Sequence, residues 1–152
     1  MADAPEVESA RHHVRRVVLD AVLLVVAAHS IILGLALLFF PLWVLRFVRW
    51  EYSGPSFWPS QAGLFLAILG FAYASAIRLR SLIWLLIGSK ASALVFLVVS
   101  VVVGNAPRVV VLIACGDGAM GLAVALAFWQ LKRAQSLPKI EPRPAFAPVD
   151  SG

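Results

Sequence analysis

The sequence predicts an all-α integral membrane fold, four transmembrane helices in an up-down-up-down bundle with both termini cytoplasmic. Three observations predict it. First, four long apolar stretches, at residues 17–40, 57–77, 82–103 and 109–131, take up most of the 152 residues. Each is close to the ~20 residues that a helix rising ~1.5 Å per residue needs to cross a ~30 Å hydrocarbon core. Second, apolar residues make up 61% of the chain and charged ones 14%, against roughly 25% charged in a soluble domain. A small globule leaves much of its chain exposed, so this apolar surplus has no soluble core large enough to hold it. Third, the basic residues flank the stretches unevenly.

The elements follow in order. Residues 1–10 are polar and acidic, a composition expected to lack fixed structure. Arg11 to Arg16 then forms a basic collar suited to lipid headgroups, so residues 1–16 read as a cytoplasmic segment ahead of the 17–131 membrane domain. The first stretch is longer than the ~7–15 residues of a signal-peptide core and has no small-residue cleavage site after it, so it reads as a retained span.

Residues 41–56 carry Trp43, Phe47 and Trp50 on one helical face, with Arg46 and Arg49 at its flank. That pattern suits a short amphipathic segment lying in the interface, anchored by the three aromatic rings. Ser53-Gly54-Pro55-Ser56 breaks it, and Pro59 fits the first turn of the next helix. The links at 78–81 and 104–108 are short, which forces neighbouring helices antiparallel. After Lys132 and Arg133 come Pro138, Pro142, Pro144 and Pro148, so residues 132–152 read as an unfolded cytoplasmic tail.

Counting charges sets the topology. Arg11, Arg15, Arg16, Arg78, Arg80, Lys132, Arg133, Lys139 and Arg143 fall on one side, and Arg46, Arg49 and Arg108 on the other. With Lys90 inside a span, these complete the 13 basic residues. The positive-inside rule puts the richer side in the cytoplasm and the Trp-rich connection outside. The net charge of +5 therefore serves headgroups, and nucleic acid is not an expected partner. Cys115 is the single cysteine, so no intrachain disulfide forms.

Helices in lipid gain little from apolar burial against one another, so small residues that admit close approach mark their contacts. The second span has such a stripe in Gly63, Ala67, Gly70 and Ala74. The fourth has another in Ala114, Gly118, Gly121 and Ala125.

Four ionisable residues lie inside the spans: Asp20, His29, Lys90 and Asp117. Asp20 is one turn into the first span and four residues from Arg16, close enough to pair locally or to reach the interface. The other three are deeper, roughly 12–18 Å from the cytoplasmic end at ~1.5 Å per residue. The third and fourth spans must be neighbours because their link is short. The expectation is an interior Lys90–Asp117 ion pair, with His29 as a third member of a candidate polar midplane site. Such groups fix helix register or serve a ligand. No ligand cluster suits a metal, no phosphate loop or nucleophile elbow is present, and no catalytic residue is assigned. No cofactor is expected, although a quinone or a lipid remains open.

The Gly-rich second span, Gly63-Leu-Phe-Leu-Ala-Ile-Leu-Gly70, the arginine-bearing turn, Gly88-Ser89-Lys90 in the third span and Gly116-Asp117 in the fourth resemble the small bacterial four-helix membrane proteins of the DoxX-like type. The resemblance covers about residues 15–131 and implies a multi-pass protein of the bacterial inner membrane. Some members of that group look like accessory subunits of quinone-linked redox complexes. This chain lacks an obvious acidic residue in its second span, which sets it apart from better-known members. The expected function is a non-enzymatic accessory or binding subunit of a membrane complex. Its expected partners are membrane lipids, other membrane subunits or copies of itself, held by the small-residue faces. The alternatives are a lipid- or quinone-acting enzyme, or a small transporter or proton conductor, built on His29, Lys90 and Asp117.

Overall fold

A computed structural model describes the backbone of residues 4–135 and the side chains of residues 10–135. Among these residues all regular structure is helical: α1 (Ala4–Phe39), α2 (Pro41–Phe47), α3 (Phe57–Ser75), α4 (Leu82–Val102) and α5 (Val110–Gln135). Four of them, α1 from Ala10 onward, α3, α4 and α5, are long and apolar enough to cross a membrane. They match the four apolar stretches within a few residues, except that α1 and α5 outrun theirs at the basic ends.

The 36 residues of α1 measure about 54 Å, well beyond a hydrocarbon core. The acidic start of the chain, expected to lack fixed structure, is helical from Ala4. At the other terminus α5 carries Lys132 and Arg133 in its last turn. Cations there complement the helix dipole. The Pro-rich part of the expected tail, residues 136–152, lies outside the described residues.

The long helices pack as two pairs. α1 lies against α3 and α4 against α5; α1 against α5 joins the pairs, while α3 and α4 touch sparingly. The buried core contains Leu19, Leu23, Val26 and Ala27 of α1, Tyr73 and Ala76 at the end of α3, Ile83 and Leu86 of α4, and Val124 and Leu131 of α5. All of these lie in the half of the bundle nearest the Arg78–Arg80 link. Towards the opposite end Val110 and Ala114 of α5 are still buried, while Phe96, Val99 and Val102 of α4 stand exposed.

Polar contacts gather the basic segments at one end. Arg15 Nη1 donates to the Gln130 carbonyl at 3.4 Å. Lys132 Nζ sits 5.0 Å from the Phe128 ring centre and 5.8 Å from that of Trp84, and those two rings meet edge-on at 5.8 Å. The Arg133 guanidinium lies 3.7 Å over Trp129. Each is an aromatic-cation contact of a kind common where a helix leaves an apolar phase.

The interfacial segment is a helix of seven residues, shorter than its aromatic pattern suggests. Pro41 starts it, where a missing N–H costs nothing. Trp43 and Phe47 stack at 5.8 Å and are exposed. The helix stops before Trp50, which is half-buried and follows the left-handed Arg49.

Candidate functional site

The interior polar groups form a short ladder rising from the basic end. Its lowest rung is Asp20. Arg80 Nη2 of the α3–α4 link lies 2.6 Å from Asp20 Oδ1, so the partner of Asp20 is Arg80 across the bundle rather than Arg16 on the same helix. The contact is a charge pair whose angles fall outside a linear hydrogen bond. It ties α1 to the α3–α4 link.

The next rung is Tyr73 on α3 with Ser89 on α4. Tyr73 is 1% exposed, and its hydroxyl lies 2.5 Å from Ser89 Oγ. Ser89 gives its own hydrogen to the Leu86 carbonyl at 2.9 Å, so Tyr73 is the donor between the two. A buried tyrosine hydroxyl needs such an acceptor. This bond ties α3 to α4 close to their shared link.

Above it stands the Lys90–Asp117 ion pair, joined by a direct contact from Nζ to Oδ1. The Lys90 side chain is 4% exposed and that of Asp117 16%. Gly121 makes the approach of α5 to α4 feasible, since a Cβ there would lie 3.0 Å from Lys90 Cβ. Gly118 is packed below Leu94, whose Cδ2 would be 3.1 Å from an added Cβ. Ala114 is wholly buried on the same face, and Ala125, about three turns further along α5, is half-buried.

His29 does not join this pair. Its side chain is exposed on the surface of α1, whereas the adjacent Ser30 is wholly buried. The Ser30 hydroxyl has no hydrogen-bond partner among the described residues. The structure thus brings together two of the three residues of the expected midplane site and turns the third outward.

The small-residue stripe of α3 faces α1. A Cβ on Gly63 would lie 2.5 Å from the Leu38 nitrogen, and one on Gly70 would lie 2.9 Å from the Ile31 nitrogen. Ala67 is buried between them, and Ala74 is half-buried against the core. Gly34 of α1 is the reciprocal position: its Cβ would lie 2.5 Å from the Ala67 nitrogen. In the sequence Gly34 follows Ala27 and Ser30 at spacings of three and four, small residues spaced like those of the other stripes. Both stripes are therefore occupied within the chain, the first by α1 and the second by α4.

This arrangement neutralises its own charges. Lys90 Nζ and Asp117 Oδ1 face each other, with the lysine buried and the aspartate partly exposed. Cys115 is exposed, and no group of three or more metal-ligating side chains occurs among the described residues. No family model matches the chain, and neither a curated protein nor a solved structure is significantly similar to it.

Proposed function

We propose that the chain is a non-enzymatic multi-pass subunit of a bacterial cytoplasmic membrane, that both termini face the cytoplasm, and that it works by presenting the face of α4 to a helix of a partner membrane subunit. Support for the membrane reading comes from the surface itself. Ile32, Phe71, Phe96 and Val102 are each more than half exposed, and a water-soluble monomer rarely shows contiguous apolar surface on that scale. Seven of the nine basic residues on the richer side are described, and they sit at or beside the end where Arg15, the Arg78–Arg80 link and Lys132 are gathered.

The observation that carries the partner reading is how little of α4 the chain covers. Only 11% of its span is buried, against 22–28% for the other three. A shallow groove of about 550 Å³ runs along Ala91, Ser92, Val95, Phe96 and Val99. Gly88 has open space above it and Ser92 is exposed four residues on. That spacing lets a second helix approach closely. The stripes on α3 and α5 face helices of this chain, and the Gly88–Ser92 face lies on the least buried of the four spans. The Gly88-Ser89-Lys90 and Gly116-Asp117 motifs behind the DoxX-like resemblance have a packing role in this reading, with Ser89, Lys90 and Asp117 as internal ties.

The test is purification of the full chain in a gentle detergent, followed by mass spectrometry of what accompanies it. A defined membrane subunit should co-purify with the wild type and be lost from Gly88→Leu/Ser92→Leu. It should be retained by Gly116→Leu, where an added side chain also meets open space but on another helix. Recovery of the wild type as a lone monomer would overturn the proposal.

A further inference from the structure

A second cavity lies at the other end of the molecule, beside α2. It has a volume of about 510 Å³ and is lined by Leu42, Leu45, Arg46, Arg49, Trp50 and Glu51, among others. Its wall is a sharp helix stop. The Arg49 N–H donates to the Arg46 carbonyl at 2.9 Å, and the Trp50 N–H donates to the Leu45 carbonyl at 2.8 Å. Arg49 itself has a φ of 54°. These features are those of a Schellman stop, in which the left-handed residue is usually glycine.

The chain provides its own control. α4 ends with the same pair of bonds, from Gly104 N–H to the Val101 carbonyl at 3.1 Å and from Asn105 N–H to the Ser100 carbonyl at 2.9 Å. There the left-handed residue is Gly104, with a φ of 82°. Backbone geometry alone would favour glycine at residue 49 as well. An arginine held in an unfavourable backbone conformation points to a use for its side chain.

The lining says what that use is. Arg46, Arg49 and Glu51 border one cavity, yet none has an ion-pair partner among the described residues. Two guanidiniums suit a phosphate, which they bind with paired hydrogen bonds. A nearby free carboxylate suits a primary ammonium. Leu45 is buried beneath them and Leu42 stands at the rim, so the cavity runs from charged to apolar. The exposed Trp43–Phe47 stack beside it marks the level of a headgroup layer.

We propose that this cavity binds a phospholipid whose headgroup carries both a phosphate and a primary amine, as phosphatidylethanolamine does. The phosphate lies on Arg46 and Arg49, the ammonium on Glu51, and the glycerol end on Leu42 and Leu45. This site is independent of the α4 face and would survive the failure of the partner reading.

The experiment is lipid retention by the full chain, reconstituted with equal amounts of phosphatidylethanolamine, phosphatidylglycerol and phosphatidylcholine and then stripped stepwise with detergent under native mass spectrometry. The wild type should keep phosphatidylethanolamine about tenfold over the other two, the scale of one charge-assisted hydrogen bond. Glu51→Gln should reduce it to the level of phosphatidylglycerol. Arg49→Gly should lower retention of all three lipids about tenfold while its thermal unfolding midpoint holds or rises, because glycine fits the turn. Equal retention of the three lipids by the wild type would overturn the proposal, as would an unchanged lipid ratio in Glu51→Gln or undiminished lipid retention in Arg49→Gly. Binding of free phosphoethanolamine as tight as that of the lipid would overturn the assignment to a membrane source.

Discussion

The two helix pairs use the same residue types in different ways. α1 and α3 meet backbone to backbone, with Gly34, Gly63 and Gly70 each leaving room for main-chain atoms of the facing helix. α4 and α5 meet through side chains, with Gly118 under Leu94 and Gly121 under Lys90, and the Lys90–Asp117 pair beside them. A glycine facing backbone cannot be replaced without moving a helix, whereas Gly118, facing the end of the flexible Leu94 side chain, can. Small-residue stripes that look alike in sequence should therefore differ widely in tolerance.

The largest expected effect tests that difference directly. Gly63→Leu should prevent α1 and α3 from pairing, with a loss beyond the ~1–3 kcal/mol of ordinary overpacking, since no rotamer removes a backbone clash. Gly118→Ala should stay within about 1 kcal/mol because Leu94 can shift. Thermal unfolding in detergent measures both. Equal losses would show that the two interfaces are not distinct in kind.

Next in size is the charge that only the α4–α5 pair carries. Asp117→Asn should destabilise the bundle by about 3 kcal/mol, because it leaves a nearly buried Lys90 without its counter-charge. Replacing both members with apolar residues of similar volume, Lys90→Met with Asp117→Leu, should recover most of that loss. A double variant as unstable as the single one would count against a self-contained structural pair.

How far the sequence carries the reader depends on which coordinate is needed. The spans are legible because a hydrocarbon core sets a length and leaves few alternatives to a helix. Height within the membrane is also legible, since it is a residue count times the rise, and the short 104–108 link makes Lys90 and Asp117 neighbours. Azimuth is not. Successive residues turn by about 100° around a helix, so His29 can share the level of Asp117 and still point outward while Ser30 points in. The same gap hid the pairing of Asp20 with Arg80, which needs the lateral arrangement of α1 against the α3–α4 link. Arg49 was legible as a flanking charge of an amphipathic segment but not as the residue that ends it, because glycine is the usual signal there.

The contact between the two pairs on the α3–α4 side offers a smaller test. The bond from Tyr73 to Ser89 joins helices that otherwise touch little. Tyr73→Phe should cost about 1 kcal/mol, the net value of one hydrogen bond. Ser89→Ala should cost at least as much, since it strands the Tyr73 hydroxyl in a setting that is 1% exposed. If Tyr73→Phe proves the worse of the two, the tyrosine hydroxyl has a role beyond this bond.

The smallest effect has the opposite sign and concerns the contact of α1 with the centre of the bundle. Ser30 is 0% exposed, and its hydroxyl lacks a partner among the described residues. A polar group in that position is a liability, because burying it without a hydrogen bond costs free energy that a methyl group would not. Ser30→Ala should therefore raise the unfolding midpoint, by the equivalent of about 1 kcal/mol at most. By the register that sets Arg15 beside Gln130, Ser30 lies on α1 near the level of Ala114 and Asp117 on the antiparallel α5. A fall in stability would mean that the hydroxyl finds a partner in the assembled membrane. Comparing Ser30→Ala in detergent and in a lipid bilayer would then tell whether the surrounding lipid phase changes the setting of that hydroxyl.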